Sequence, residues 1–316
     1  MYTAAIMKTE LEASKGTRKL DVRIDNIQLV NVFTQEIYPA SIGIYNERIV
    51  AVGRETEADQ VIDGAGAYAV PGLIDSHIHI ETTLLTPEAL GGVIIPLGTT
   101  TLCVDAMEIA NVAGIDGLLA MIKDSEKLPF RLLLEIPSRV PTAPGLETTG
   151  GVLGVEEVTQ LLELDEAVSL GELDPSKVLG MKEEYLEKVL ASLNRRKICN
   201  GHAIGLGVDD LNIYAAGHLS DDHESVYYEE LLERLRLGIM PLIREGSSER
   251  NVDTLVPGIV KNNLPTDNMM FCTDDKHVND IFKEGHISYN VKRSIELGLD
   301  PVQAIQMANI NACKHF

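Results

Sequence analysis

Residues 71–81 read PGLIDSHIHIE. A Pro-Gly turn leads into a short apolar run, and the run ends in two histidines spaced two apart, His77 and His79. Side chains two apart on a strand point to the same side, so both imidazoles can reach one metal ion near the strand's C-terminal end. Upstream of Pro71 the pattern differs. DVRIDNIQLVNV, SIGIYNERIVAVG and QVIDGAGAYAVPG are rich in β-branched residues and are separated by turns such as Asn46-Glu47 and Gly64-Ala65-Gly66. That is the pattern of a small β-domain. Residues 1–20 read as a mobile arm or a short helix.

Downstream, strand-like and helix-like segments alternate. Strand cores fall at 73–79, 100–106, 131–137, 167–172, 198–203, 217–222, 239–245 and 268–274. Helical stretches lie between them, including TPEALGGVIIPL (86–97), GIDGLLAMIKDSEK (114–127), KEEYLEKVLASLNRR (182–196), SVYYEELLERLRLG (225–238) and HVNDIFKEGH (277–286). Eight strand–helix units predict an α/β fold, a (β/α)8 TIM-type barrel over residues 73–316, preceded by an arm and a small β-domain over 1–72. An open doubly wound sheet would need a glycine-rich phosphate loop after its first strand, and the segment after Ile80 has none.

The chain has 316 residues, 45% of them hydrophobic, enough for a large core. Its 27 Lys and Arg stand against 48 Asp and Glu, a net charge of −21. Such a chain repels nucleic acid and anionic membrane at long range and suits a small neutral or cationic substrate. Cys103, Cys199, Cys272 and Cys313 are widely spaced with no CxxC pair, the usage of reduced, mostly buried thiols. The polar N-terminus lacks the apolar core of a signal peptide, and no apolar run approaches spanning length. The expectation is a cytoplasmic protein.

Further chemistry-bearing residues sit where other strands end. Glu172 ends the fourth, His202 the fifth and Asp274 the eighth, and His223 follows the sixth. Barrel enzymes draw their catalytic groups from these C-terminal ends. Singly, Glu172 reads equally well as a helix cap, His202 as a packed ring and Asp274 as an N-cap. Together with His77 and His79 they give four imidazoles and two carboxylates, an N/O donor set for Zn²⁺, Mn²⁺ or Fe²⁺. The set suffices for two divalent ions with Glu172 as a bridge, and Asp274 would serve as general base toward water. The chemistry this calls for is hydrolysis at an electron-poor carbon.

Longer motifs sharpen the reading. PGLIDSHIHIETTLLTPEAL, GTTTLCVDAMEIANVAG, PSRVPTAPGLETTGG, GHAIGLGVDDLNIYAAG, DDHESV, LRLGIMPLIREGSSERN, CTDDKH and GHISYNVKRSIELGLDPVQAIQMANINA together resemble the adenine deaminase family of the amidohydrolase superfamily, from about Asp21 onward. The resemblance implies a binuclear centre. His77 and His79 would be ligands, and Glu172 a bridging carboxylate in place of the carboxylated lysine of other superfamily members. His202 and His223 match the later histidines, and Asp274 matches a ligand that also shuttles the proton. Asp105 would be an extra ligand or a support beside the ligands. Glu81, Glu108, Glu147, Glu224 and Arg244 lie in matching motifs and are candidates for the pocket and its supports. The implied reaction converts adenine and water into hypoxanthine and ammonia. The implied partners are a small purine base and further copies of the chain. Family members continue beyond the position of Phe316, so a C-terminal segment or subunit is expected to complete the β-domain. Without it, open strand edges and apolar surface would favour association.

Some positions depart from the family pattern. DPHE reads Asp105-Ala106-Met107-Glu108, and PSCVP reads Pro137-Ser138-Arg139-Val140-Pro141. The Met-Met-Asn after the bridging glutamate becomes Leu173-Asp174-Pro175, and SDHE appears with a one-residue shift in Ser220-Asp221-Asp222-His223-Glu224. These changes spare the expected ligands and alter the pocket wall. Three readings follow: an adenine deaminase with two metals, a hydrolase of another aminopurine or cyclic amide on the same barrel, and an inactive or partner-dependent fragment.

Overall fold

The computed structural model describes residues 2–316, and the chain divides between Pro71 and Gly72 into two compact units. In the first, helix α1 (Ala4–Lys15) starts where the Thr3 side chain accepts from Ile6 N and stops at Gly16, whose φ of 82° suits glycine. Residues 4–15 thus form a helix rather than a mobile arm. Strands β1 (Leu20–Asn31), β2 (Glu36–Tyr45), β3 (Arg48–Val52), β4 (Ala58–Asp63) and β5 (Tyr68–Ala69) form one sheet in the order β3-β2-β1-β4, with β5 also pairing β1. The β2–β3 hairpin turns on Asn46 and Glu47, both at positive φ, as a two-residue hairpin turn requires. Leu20, Ile27, Val30, Ile42 and Ala51 are buried, as is Ala13 of α1.

The second unit alternates strand and helix: β6 (Leu73–Ile78), α2 (Pro87–Ile94), β7 (Thr99–Asp105), α3 (Met107–Ser125), β8 (Arg131–Ile136), α4 (Val155–Leu161), β9 (Ala167–Leu173), α5 (Pro175–Leu179), α6 (Glu183–Leu193), β10 (Ile198–Gly201), α7 (Val208–Ala216), β11 (Asp221–Asp222), α8 (Tyr228–Arg236), β12 (Met240–Arg244), α9 (Val252–Lys261), β13 (Met270–Cys272), α10 (Val278–Glu284), α11 (Ile287–Glu296), α12 (Pro301–Met307) and α13 (Ile310–His315). Paired strands are all parallel, with β6 to β10 in one curved sheet and β11 to β13 in a second. Backbone hydrogen bonds join the two arcs at both ends: Ser220 N donates to Cys199 O at 2.8 Å, and Asp274 N to His77 O at 3.0 Å. The strands therefore run round a ring of the TIM type.

Strands covered by helices outside and packed inside should be apolar on both faces. β8 and β9 bear this out, with Leu132, Leu134, Ile136 and Leu170 buried against Leu90, Leu118, Phe130, Val158 and Val189. A second cluster gathers Ile243 and Phe271 with Leu231, Val256, Ile259 and Met307. A third links Ile74, Cys103, Leu242, Met270 and Cys272 to Ala312 of α13, so these thiols act as small apolar groups. Among the described residues no helix is long and apolar enough to cross a membrane.

Two elements differ from the sequence expectation. The sixth strand is only Asp221–Asp222, because Gly217 still bonds back into α7 and His218 takes a left-handed φ of 63° that ends extension. Helix α3 begins at Met107 rather than Gly114, and Gly114 breaks it midway with φ 61° and ψ −154°.

Candidate metal centre

At the C-terminal ends of the strands, irregular strand pairing aims the side chains. β6 and β7 slip register between Asp75 and Ile78, and β9 and β10 slip between Leu170 and Leu173, the spans that hold His77 and Glu172. Bulges at barrel rims re-aim side chains in this way. Gly171 serves the second bulge: a Cβ there would come within 2.3 Å of the Asp105 carboxylate, whose Oδ2 accepts from Glu172 N at 3.0 Å. Asp274 takes φ 54° as it leaves β13, a left-handed conformation that Asp tolerates better than most residues.

These aims converge. Glu172, 3% exposed, lies among four imidazoles: His202 Nδ1 at 2.9 Å, His223 Nε2 at 3.2 Å, His77 Nε2 at 3.9 Å and His79 Nε2 at 4.0 Å. Asp274 Oδ1 stands 3.7 Å from His79 Nε2. The rings of His77 and His223 stack at 4.3 Å. His77, His79, Glu172, His202, His223, Asp274 and the neighbouring Asp275 make up four overlapping triplets whose ligand atoms lie within 4.8 Å of one another.

The supports fix ring orientation. His77 Nδ1 pairs with buried Glu135 at 2.7 Å, and His79 Nδ1 with the Asp105 carbonyl at 2.9 Å, so both Nε2 atoms turn inward. His77 Nε2 is buried and has no hydrogen-bond partner. An inward, unpartnered imidazole nitrogen beside two carboxylates, with no thiolate in the group, fits a divalent ion of the Zn, Mn or Fe type. Burial opposes the charge on Glu172, but the facing His202 and His223 imidazoles and the Arg139 charge outweigh it and hold its carboxyl well below the usual range. Asp274 is likewise lowered, with burial outweighed by His223, His77, His79 and Arg244.

The remaining candidates separate by position. Arg244 grips Glu224 with both terminal nitrogens, at 2.6 and 3.0 Å, and holds Asp274 Oδ2 at 2.9 Å. Glu224 Oε1 also lies 3.4 Å from both His202 and His223. Glu108 is 3.4 Å from His79 Nδ1 at the rim. Glu81 accepts from Ile109 N at 2.8 Å, capping α3 behind that rim. Asp105 stands beneath Glu172 and belongs to none of the triplets; burial pushes its carboxyl up to about 8. Glu147 is not brought to the centre. It accepts from Ala143 N and from Asn111 Nδ2, tying its own loop to α3. A cavity of about 550 Å³ opens on the group, lined by Met107, Ile204 and Val226 beside the polar residues. Two larger hollows, about 680 and 610 Å³, lie at the opposite strand ends and hold none of the triplets.

The amidohydrolase family profile matches residues 68–316. The chain belongs to the amidohydrolase family. Among curated relatives, this amidohydrolase is 60% identical over 99% of its length to an adenine deaminase of Desulforamulus reducens, and 39% identical over 97% to an adenine deaminase of Kosmotoga olearia. In each case it covers 53% of the relative, so the chain spans about half the length of the curated relatives it matches. Among solved structures it superposes on a dihydroorotase with a TM-score of 0.66 at 16% identity, covering 93% of this chain and 84% of that one. For atrazine chlorohydrolase TrzN of Arthrobacter aurescens, solved with zinc, the TM-score is 0.63 at 15% identity, over 93% and 82% of the two chains. These likenesses concern the fold.

Two participants in this amidohydrolase's centre escape a motif reading. Glu135 carries the same signal as the histidines, a polar residue closing an apolar strand in RLLLEIP, but its partner His77 lies 58 residues away. Arg139 reads in sequence only as a departure from PSCVP. In the structure its Nη2 donates to Glu172 Oε1.

Proposed function

We propose that this chain is the catalytic barrel of a hydrolase that converts adenine and water into hypoxanthine and ammonia. The observation that carries the reading is the Glu172 carboxylate set among four imidazoles, with Asp274 beside His79, in a chain 60% identical to a protein named adenine deaminase. We assign His77, His79 and Asp274 to one divalent ion, His202 and His223 to a second, and Glu172 to both. When bound, Mn²⁺, Fe²⁺ or Zn²⁺ would supply Lewis acidity that makes water nucleophilic at neutral pH.

The chain's own groups do the rest. Asp274 is held ionised, and Arg244 occupies its Oδ2. Oδ1 is then the oxygen that takes a proton from water and passes it to the departing amine. Glu224, by gripping Arg244, fixes that division of labour. The cavity of about 550 Å³ is ample for a purine. Met107, Ile204 and Val226 offer apolar contact for its ring, and the Glu108 carboxylate at the rim can accept from ring N–H groups. A second reading, in which the substrate is another aminopurine or a cyclic amide, draws on Met107 and Arg139, which give this pocket a thioether and a cation.

The test is ammonia release from adenine by the purified protein loaded in turn with Mn²⁺, Fe²⁺ and Zn²⁺, with metal content measured alongside. Metal-dependent release is expected. A loaded protein that spares adenine but turns over another base in a purine and cyclic-amide panel would replace the first reading by the second.

A further inference from the structure

The two oxygens of Glu172 keep different company. Oε2 faces His202 at 2.9 Å, His223 at 3.2 Å and His77 at 3.9 Å. Oε1 lies 4.0 Å from His79 and is held by the Arg139 guanidinium. One oxygen faces imidazoles that can themselves become ligands, and the other already carries a cation.

That cation is built in. Arg139 is only 8% exposed. The backbone around it is pinned, since Ser138 Oγ donates to Glu172 O at 2.5 Å and Lys188 Nζ to Ser138 O at 3.1 Å. The other carboxylate within reach, Asp174, is 4.0 Å away. Arginine keeps its charge at any ordinary pH, and its planar fork suits a carboxylate. A divalent ion on Oε1 would have to share that oxygen with the hydrogen bond and sit beside a fixed positive charge where water screens little. An ion on Oε2 faces no such rival.

We propose that Arg139 makes the two metal positions unequal. The position built on Glu172 Oε2, His202 and His223 takes a divalent ion tightly. The position built on Oε1 with His79 takes its ion weakly, so the protein carries one ion at low metal and two only at high metal. This rests on the metal reading proposed above.

The test is stepwise titration of metal-stripped protein with Mn²⁺ by calorimetry, with the ions retained after desalting counted and Mn–Mn spin coupling followed as the mark of double loading. The unsubstituted protein should show two steps at least about tenfold apart and keep one ion, and Arg139→Met should bring the steps within about threefold and keep two. Two equal steps in the unsubstituted protein would overturn the proposal without recourse to any variant. An unchanged gap in a folded Arg139→Met would do the same. If neither form holds an ion, the metal reading itself fails and takes this inference with it.

Discussion

Replacing Asp274 with Asn exchanges one residue that tolerates its left-handed backbone for another. The fold should survive, and kcat for adenine should fall by about 10²–10⁴ because the proposed proton acceptor is gone. Undiminished turnover would end its assignment as base. Glu135 acts one step back. Glu135→Gln loosens the hold on His77 Nδ1 and should weaken metal affinity by about 10–100-fold, read by titration; unchanged affinity would show that His77 needs no such support. The buried pair His286 and Asp75 works through protons alone. His286 is fully buried, and burial together with the Lys276 charge pushes its imidazole down to about 3. Asp75, 3.2 Å from His286 Nε2, is pushed by burial up to about 7. An unfolded histidine protonates near pH 6.5, so the His286 share of stability is whole above about 6.5 and is lost as pH falls toward about 3. Asp75 runs the other way, its share whole below about 3.8 and lost as pH rises toward about 7. In the overlap the slopes cancel, since folding passes a proton from imidazole to carboxyl. His286→Asn removes one arm. Denaturant unfolding of the metal-free proteins should show the stability of the variant rising relative to that of the parent by up to about 1.4 kcal/mol per pH unit as pH falls from about 6.5 to about 4.5. Parallel profiles would disprove the coupling.

At the scale of elements, the shortest strand of the barrel is braced by a buried ion pair. β11 has two residues, yet Asp222 accepts from Ala203 N at 2.6 Å and from the Arg234 guanidinium of α8, while Arg234 Nη2 donates to Ala203 O at 2.7 Å. Arg234→Met would strand a fully buried carboxylate, and the expected cost is about 3–5 kcal/mol, measurable as a lowered denaturant midpoint; a change under about 1 kcal/mol would mean that Asp222 finds another partner or a proton. Such braces also mark how far the sequence can be read. β6 and β8 are legible because an apolar run that closes on a polar residue is the pattern of a buried strand ending at a rim, and His77, His79, Glu172 and Asp274 stand out on that signal. β11 is shorter than its pattern suggests because Gly217 and His218 extend the end of α7, a matter of backbone dihedrals that hydrophobic period does not record. The bulges at His77 and Glu172 are invisible in sequence for the same reason. Arg139 is visible as an odd residue without a place. Only the return of the loop after β8 to the mouth of β9 puts its charge on Glu172, and that return depends on the path of the whole loop.

At the scale of the whole molecule, a charge of −21 sets a long-range field rather than a specificity. For a neutral base such as adenine, kcat/KM should change little between about 0.05 and 0.5 M salt, whereas an anionic substrate would be taken up faster as salt screens the repulsion. The ring itself imposes a different demand. Its first and last strands meet through Asp75 and Thr273, 198 residues apart, and the proposed ligands lie on both sides of that seam. Joining them is the longest search the barrel makes, so closure belongs to the slow end of folding. A bound ion would then work as a clasp. Held by ligands from both sides of the seam, it would favour the closed ring, and at a free concentration of about 100 times its dissociation constant it would add about 2.7 kcal/mol to closure. Stripping the metal should therefore show itself first as faster hydrogen exchange at the His79 and Asp274 amides that stitch β6 to β13, before any loss of helix, and the protein would report its metal supply through how readily its barrel unzips.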